Sequence, residues 1–156
     1  ARQAEYPTMG ALIRAEMPQA VAADAIRRLA ALIPPVPTIA ETVAARLRLS
    51  KQQRARLVCD AARNPADADN PRALAYAEGI GCAIDRLLLS GTDIAPLRDW
   101  DVPQLPLIGG QIVARGIGAW PEVARVQRAV ENRWIAEGVP DVARVEALLD
   151  EELATR

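Results

Sequence analysis

The chain has 156 residues, 51% of them hydrophobic, so it can bury a real core and is not a disordered segment. It contains no histidine, which excludes Ser-His-Asp and Cys-His nucleophile activation, imidazole metal ligation and histidine acid–base catalysis. A net charge of −1 argues against a generic nucleic-acid binder, yet the charge is unevenly spread. Residues 1–63 hold ten basic and five acidic side chains, 64–110 hold three and seven, and 111–156 hold six and eight.

In chain order, "QAVAADAIRRLAALIPP" predicts a helix with Val21, Ile26, Leu29, Leu32 and Ile33 on one stripe. Pro18 suits its first turn, and Pro34 and Pro35 stop it. "TIAE" (Thr38 to Glu41) has the form of a capping box, ahead of Ile39, Val43 and Leu47 at helical spacing. "SKQQ" (Ser50 to Gln53) repeats the device and opens a helix carrying Leu57, Val58 and Ala61. After the polar loop "NPADADN", Asn70 and Pro71 predict the N-cap and first turn of a helix running to about Leu89. Leu74, Ala77, Gly81, Ile84 and Leu88 should face inward there, with Gly81 marking a close helix–helix approach.

"DWDVPQLPL" is too proline-rich for a regular element. A short helix, Gln111 to Arg115, then leads through a turn of Gly116, Gly118 and Pro121 into a long one. Val123, Val126, Val130 and Trp134 form the apolar face of the long helix, and Gly138 ends it. Pro140 and Asp141 start a last helix with Val142, Val145, Leu148 and Leu149 inside. No stretch alternates like a strand. The expectation is an all-α chain of seven to nine helices, a helical body over 1–98 and a helical tail over 99–156.

The search for chemistry is mostly negative. Cys59 and Cys82 lie far apart with no metal-ligand spacing, and are expected to be small core residues of a reducing, cytoplasmic protein. "DAD" (Asp67, Asp69) and "DWD" (Asp99, Asp101) echo metal-binding carboxylate pairs. Without strand ends or a phosphate cradle they read as solvated loop acids. No catalytic or metal-binding residue is assigned, and no run approaches a membrane span.

Two features point to anions. "RLRLSKQQRAR" carries Arg46, Arg48, Lys51, Arg54 and Arg56 with no acid, across the N-terminus of a capped helix, where the dipole also favours a phosphate. Such runs are often simply solvated helix faces. "GIG", with Arg115, Arg125 and Arg128 nearby, resembles a helix-hairpin-helix, which grips nucleic-acid phosphates through backbone N–H groups. The nearest small packing residue, Ala124, comes two positions later than in that motif. A DNA-binding helical module, or a structural or protein-interaction domain, are therefore the competing readings.

Taken together, "RLAALIP" (Arg28 to Pro34), "VAARLRLSKQQRARL" (Val43 to Leu57) and "LPLIGGQIVARGIGAWPEVARVQRAVENRWIAEG" (105–138) resemble the C-terminal portion of bacterial CCA-adding tRNA nucleotidyltransferases, in the poly(A) polymerase family. The resemblance covers roughly residues 20–140. The chain departs from the family's tail motif at Gln111, where an Asp is usual, and at Trp120, where a Gly is usual. The resemblance implies a multihelical body and tail that hold the acceptor and T arms of tRNA. It also implies a parent enzyme that transfers CMP and AMP from CTP and ATP to the tRNA 3′ end with Mg2+. The catalytic carboxylates would belong to an N-terminal head absent from these residues, leaving this part inactive alone. A chain beginning with Ala1 rather than Met suits a piece of something longer.

Overall fold

Every regular element among the described residues, 9–118 and 120–155 of the computed structural model, is helical. Nine α-helices follow one another: α1 (Met9–Glu16), α2 (Ala25–Ala31), α3 (Pro37–Arg46), α4 (Lys51–Ala61), α5 (Pro71–Glu78), α6 (Ile80–Leu89), α7 (Gly109–Ala114), α8 (Trp120–Ala136) and α9 (Val142–Ala154). Short 3-10 turns at Pro65–Ala68 and Ala95–Leu97 join the neighbours of α5 and α6. The chain divides into two compact units, one ending at Asp101 and one beginning at Val102.

In the first unit α4 packs against α2, α3 and α6, and α5 packs against α6. Leu12, Ala30, Ala40, Ala44, Leu57, Ala61, Ala75, Ala83, Leu87, Leu88 and Leu89 are buried together. Alanine is abundant in this core because small side chains let short helices approach closely. The second unit is α7, α8 and α9, with α8 between the other two. Val123, Val126, Val130 and Trp134 are all buried on α8, which packs against α7 and α9, where Ile112, Val145, Leu148 and Leu149 are buried too. The three-and-four spacing of an amphipathic helix is thus the physical cause of this packing.

Local signals set several boundaries. Ser50 caps α4 with a complete capping box: its Oγ accepts from the Gln53 N–H at 3.2 Å, and Gln53 Oε1 accepts from the Ser50 N–H at 3.0 Å. Replacing Ser50 with alanine should cost about 1 kcal/mol in urea unfolding; a loss below a few tenths would show that the cap does not hold α4. Asn70 caps α5 by accepting from the Ala73 N–H at 3.0 Å. Trp134, 1% exposed, donates its ring N–H to the Pro140 carbonyl at 2.7 Å, tying the end of α8 to the approach to α9.

Other expectations are overturned. The helix expected from Pro71 to Leu89 is two helices, broken at Gly79, whose φ of +88° lies where side-chain-bearing residues are rarely found. Gly81 is not a contact point, because a Cβ added there would meet nothing within 4 Å. Close approach occurs instead at Gly109, where a Cβ would lie 3.4 Å from Val123 Cγ1. Pro18 lies in a turn, and α2 begins at Ala25 because Asp24 accepts from the Ile26 and Arg27 N–H groups. No side chain caps α3, so Thr38 does not form the expected box. Leu32, Ala77 and Val142 are exposed rather than internal.

Candidate nucleic-acid interface

The corner between α3 and α4 is built by two local devices placed back to back. After Arg46 the chain closes α3 with a Schellman turn: the Arg48 N–H donates to Ala45 and the Leu49 N–H to Ala44. That turn requires a left-handed residue. Gly91 and Gly138 supply it after α6 and α8, whereas Arg48 supplies it here, at φ +52°. A side chain costs something in that conformation, so an arginine there is unfavourable for the turn itself. Two residues later Ser50 starts α4. Its capping box satisfies the Ser50 and Gln53 N–H groups and leaves the first-turn N–H groups of α4 facing out of the helix start.

Around this corner Arg46, Arg48, Lys51 and Arg54 are all exposed. Among the described residues, the cationic side chains with no hydrogen bond or ion pair are Arg14, Arg46, Arg48, Lys51 and Arg125. Three of these belong to one four-residue turn and the residues beside it. Arg54 is held across the corner by Glu41 of α3 through a short ion pair. It keeps about half its surface exposed.

Arg56 has a different fate. It turns inward, with Nε 2.6 Å from Asp85 Oδ2 and Nη1 2.8 Å from Asp24 Oδ2. Asp85, 1% exposed, also accepts from Arg27 Nε at 2.7 Å, and Arg27 reaches Glu16 at 2.6 Å, with Arg28 on the other Glu16 oxygen at 3.3 Å. This network joins α1, α2, α4 and α6. The Asp85 hydrogen bond holds the Arg56 guanidinium firmly charged, overcoming the cost of its partial burial. Burial acts to raise the Asp24 carboxyl, but the Arg27 N–H and the Arg56 charge hold it below the usual carboxylate range. Arg56 therefore fastens the body together and, unlike Arg46, Arg48 and Lys51, has acidic partners.

In the second unit Arg115 pairs with Asp150 of α9 at 3.2 Å, and Arg128 bonds weakly back to the Ala124 carbonyl at 3.4 Å. Arg125 is exposed. The first turn of α8 carries Glu122, which opposes an anion at that helix start. Of these three arginines, Arg115 and Arg128 are thus already engaged within the unit.

The carboxylate pairs also split. Asp67 is buried, not solvated, and takes a two-pronged ion pair from Arg86 at 2.7 and 2.8 Å, while Asp69, Asp99 and Asp101 are exposed. The expectation of unpaired core cysteines fails as well. Cys59 of α4 and Cys82 of α6 are half-buried and joined by a disulfide, their Cα atoms 6.2 Å apart. Sequence spacing missed them because an α4–α6 contact brings them together. With Glu78 they are the one group of potential metal ligands among the described residues. Two sulfur ligands do not suit Mg2+, which takes oxygen. No helix among the described residues is long and apolar enough to cross a membrane.

Comparison with family models, curated proteins and solved structures finds no match to this chain.

Proposed function

We propose that this chain is the tRNA-holding body and tail of a CCA-adding tRNA nucleotidyltransferase of the poly(A) polymerase family. The observation that carries the reading is the α3–α4 corner. Arg46, Arg48 and Lys51 stand there without acidic partners, on a turn whose left-handed residue is an arginine in place of the glycine that suits it better. Unpartnered cations beside open helix N–H groups make a site for phosphate, and folded RNA is read largely through its phosphates, 2′-hydroxyls and shape. On this reading CTP, ATP and Mg2+ would be handled by a catalytic head, and this part sets the acceptor and T arms against it.

Arg48→Gly separates binding from folding. Glycine relieves the left-handed strain, so the variant should unfold at equal or higher urea concentration, with a gain of up to about 1 kcal/mol. If Arg48 meets phosphate, the same change should weaken binding to a tRNA lacking its 3′ CCA by about tenfold and lower the log–log salt slope by about 1. Arg46→Ala with Lys51→Ala should add to that loss. Unchanged tRNA affinity in the triple variant would sink the reading. Equal or tighter binding to duplex DNA of the same length would favour the DNA-binding alternative. Binding to neither nucleic acid would favour a structural domain.

A further inference from the structure

We infer that Cys59, Glu78 and Cys82 form a redox-gated site for a thiophilic divalent cation of the zinc type, open when the disulfide is reduced and closed when it is formed. Their ligand atoms lie within 4.8 Å of one another, and Cys59 Sγ is 3.7 Å from Glu78 Oε2. The three come from three helices, at the end of α4, the last residue of α5 and the first turn of α6. Two thiolates and one carboxylate match the ligand preferences of zinc, at about 2.3 Å for sulfur and about 2.0–2.2 Å for oxygen, and leave a fourth position for water.

The fold prepares this arrangement. Gly79, at φ +88°, breaks the chain between α5 and α6 and so sets Glu78 beside Cys82. The α4 and α6 backbones already stand 6.2 Å apart at the two cysteines. Two sulfurs on one tetrahedral zinc sit about 4 Å apart, given the zinc–sulfur bond length, so side-chain rotation alone opens the disulfide to that spacing. No side chain caps α6, and its free first-turn N–H groups favour a negative sulfur on Cys82. Both cysteines are half-buried and Glu78 is exposed, which gives an ion a way in from solvent.

The chemistry balances in two steps. A phosphine reductant takes oxygen from water, becomes the phosphine oxide and leaves two thiols where the disulfide was. The two thiols then release two protons as two metal–sulfur bonds form. The cation and the disulfide are thus alternative clips between α4 and α6, and the second keeps the first out.

The test is titration of the whole chain with Co2+, whose thiolate charge-transfer absorption reports sulfur ligation, before and after phosphine reduction. Reduced protein should bind one equivalent with that band, and oxidised protein should show no band. Cys59→Ser and Cys82→Ser should each abolish it. Glu78→Gln, at an exposed residue and with its fold checked by circular dichroism, should weaken binding by at least about tenfold. Zinc added to the cobalt complex should erase the band. Reduced protein without the band, an equal response from oxidised protein, or full affinity in Glu78→Gln would each overturn the site.

Discussion

Replacing Asp85 with alanine should destabilise the first unit by about 3–5 kcal/mol, enough to unfold much of it at room temperature. The carboxylate is buried and accepts from both Arg27 and Arg56. Its removal leaves Arg27, whose side chain is 5% exposed, with Glu16 as its remaining ion-pair partner, and frees Arg56 to swing toward solvent. The large cost comes from leaving a buried guanidinium with one carboxylate where it had two, not from the net worth of the ion pair, which is modest beside well-packed apolar groups. Asp85→Asn keeps the shape and half the acceptors, and should lose less. Urea unfolding followed by helical circular dichroism reads both. A loss of less than about 1 kcal/mol in the alanine variant would mean that the network does not hold α2, α4 and α6 together.

Asp60 yields the second large effect, on pH dependence. It is fully buried on α4, and neither carboxyl oxygen has a hydrogen-bond partner. Burial and the nearby Asp85 charge push its pKa up to about 8, against the pull of Arg56 and Arg27. The ion pairs explain why: Glu16, Asp24 and Asp85 already match Arg27, Arg28 and Arg56, so no cation remains for a fourth acid. The folded chain keeps the Asp60 proton up to about pH 8, while the unfolded chain releases it near the ordinary value of 3.8. Between these values folding takes up a proton. The contribution of Asp60 to stability is therefore complete below about pH 4 and declines as pH rises through about 8, with a slope on the order of 1 kcal/mol per pH unit.

The chain has no histidine, so no other side chain with an ordinary pKa titrates between pH 5 and 8 to hide this slope. Asp60→Asn should flatten it. Melting temperature should fall from pH 5 to pH 8 in the unaltered protein and stay nearly level in the variant, leaving the variant the more stable at pH 8. Parallel curves for the two proteins would show that Asp60 is ionised in the folded state.

The helical class and much of the element order were legible before any coordinates, for reasons that are local. Ser50 with Gln53, Asn70 with Pro71, and Gly138 act within one turn of themselves, and Val123 to Trp134 announce a buried face by spacing alone. Local form also misled. Thr38 to Glu41 has the letters of a capping box, yet α3 had already begun at Pro37. The Ala- and Leu-rich run through Gly79 reads as continuous because periodicity does not register one positive φ.

The candidate site was half legible. The acid-free run from Arg46 to Arg56 located the α3–α4 corner, since a local excess of charge cannot be neutralised by its immediate neighbours. Which cations stay available depended on acids far along the chain. Glu41 reaches Arg54 from 13 residues away, and Asp85 and Asp24 reach Arg56 from 29 and 32. The Cys59–Glu78–Cys82 group and the Asp67–Arg86 pair were invisible for the same reason. By itself the sequence determined helices, caps and the sign of charge at each turn, because these act over three or four residues. Only tertiary packing decided which arginines are spent as internal fasteners and which stay exposed without a partner, because burial and long-range pairing belong to neighbours that no local pattern specifies.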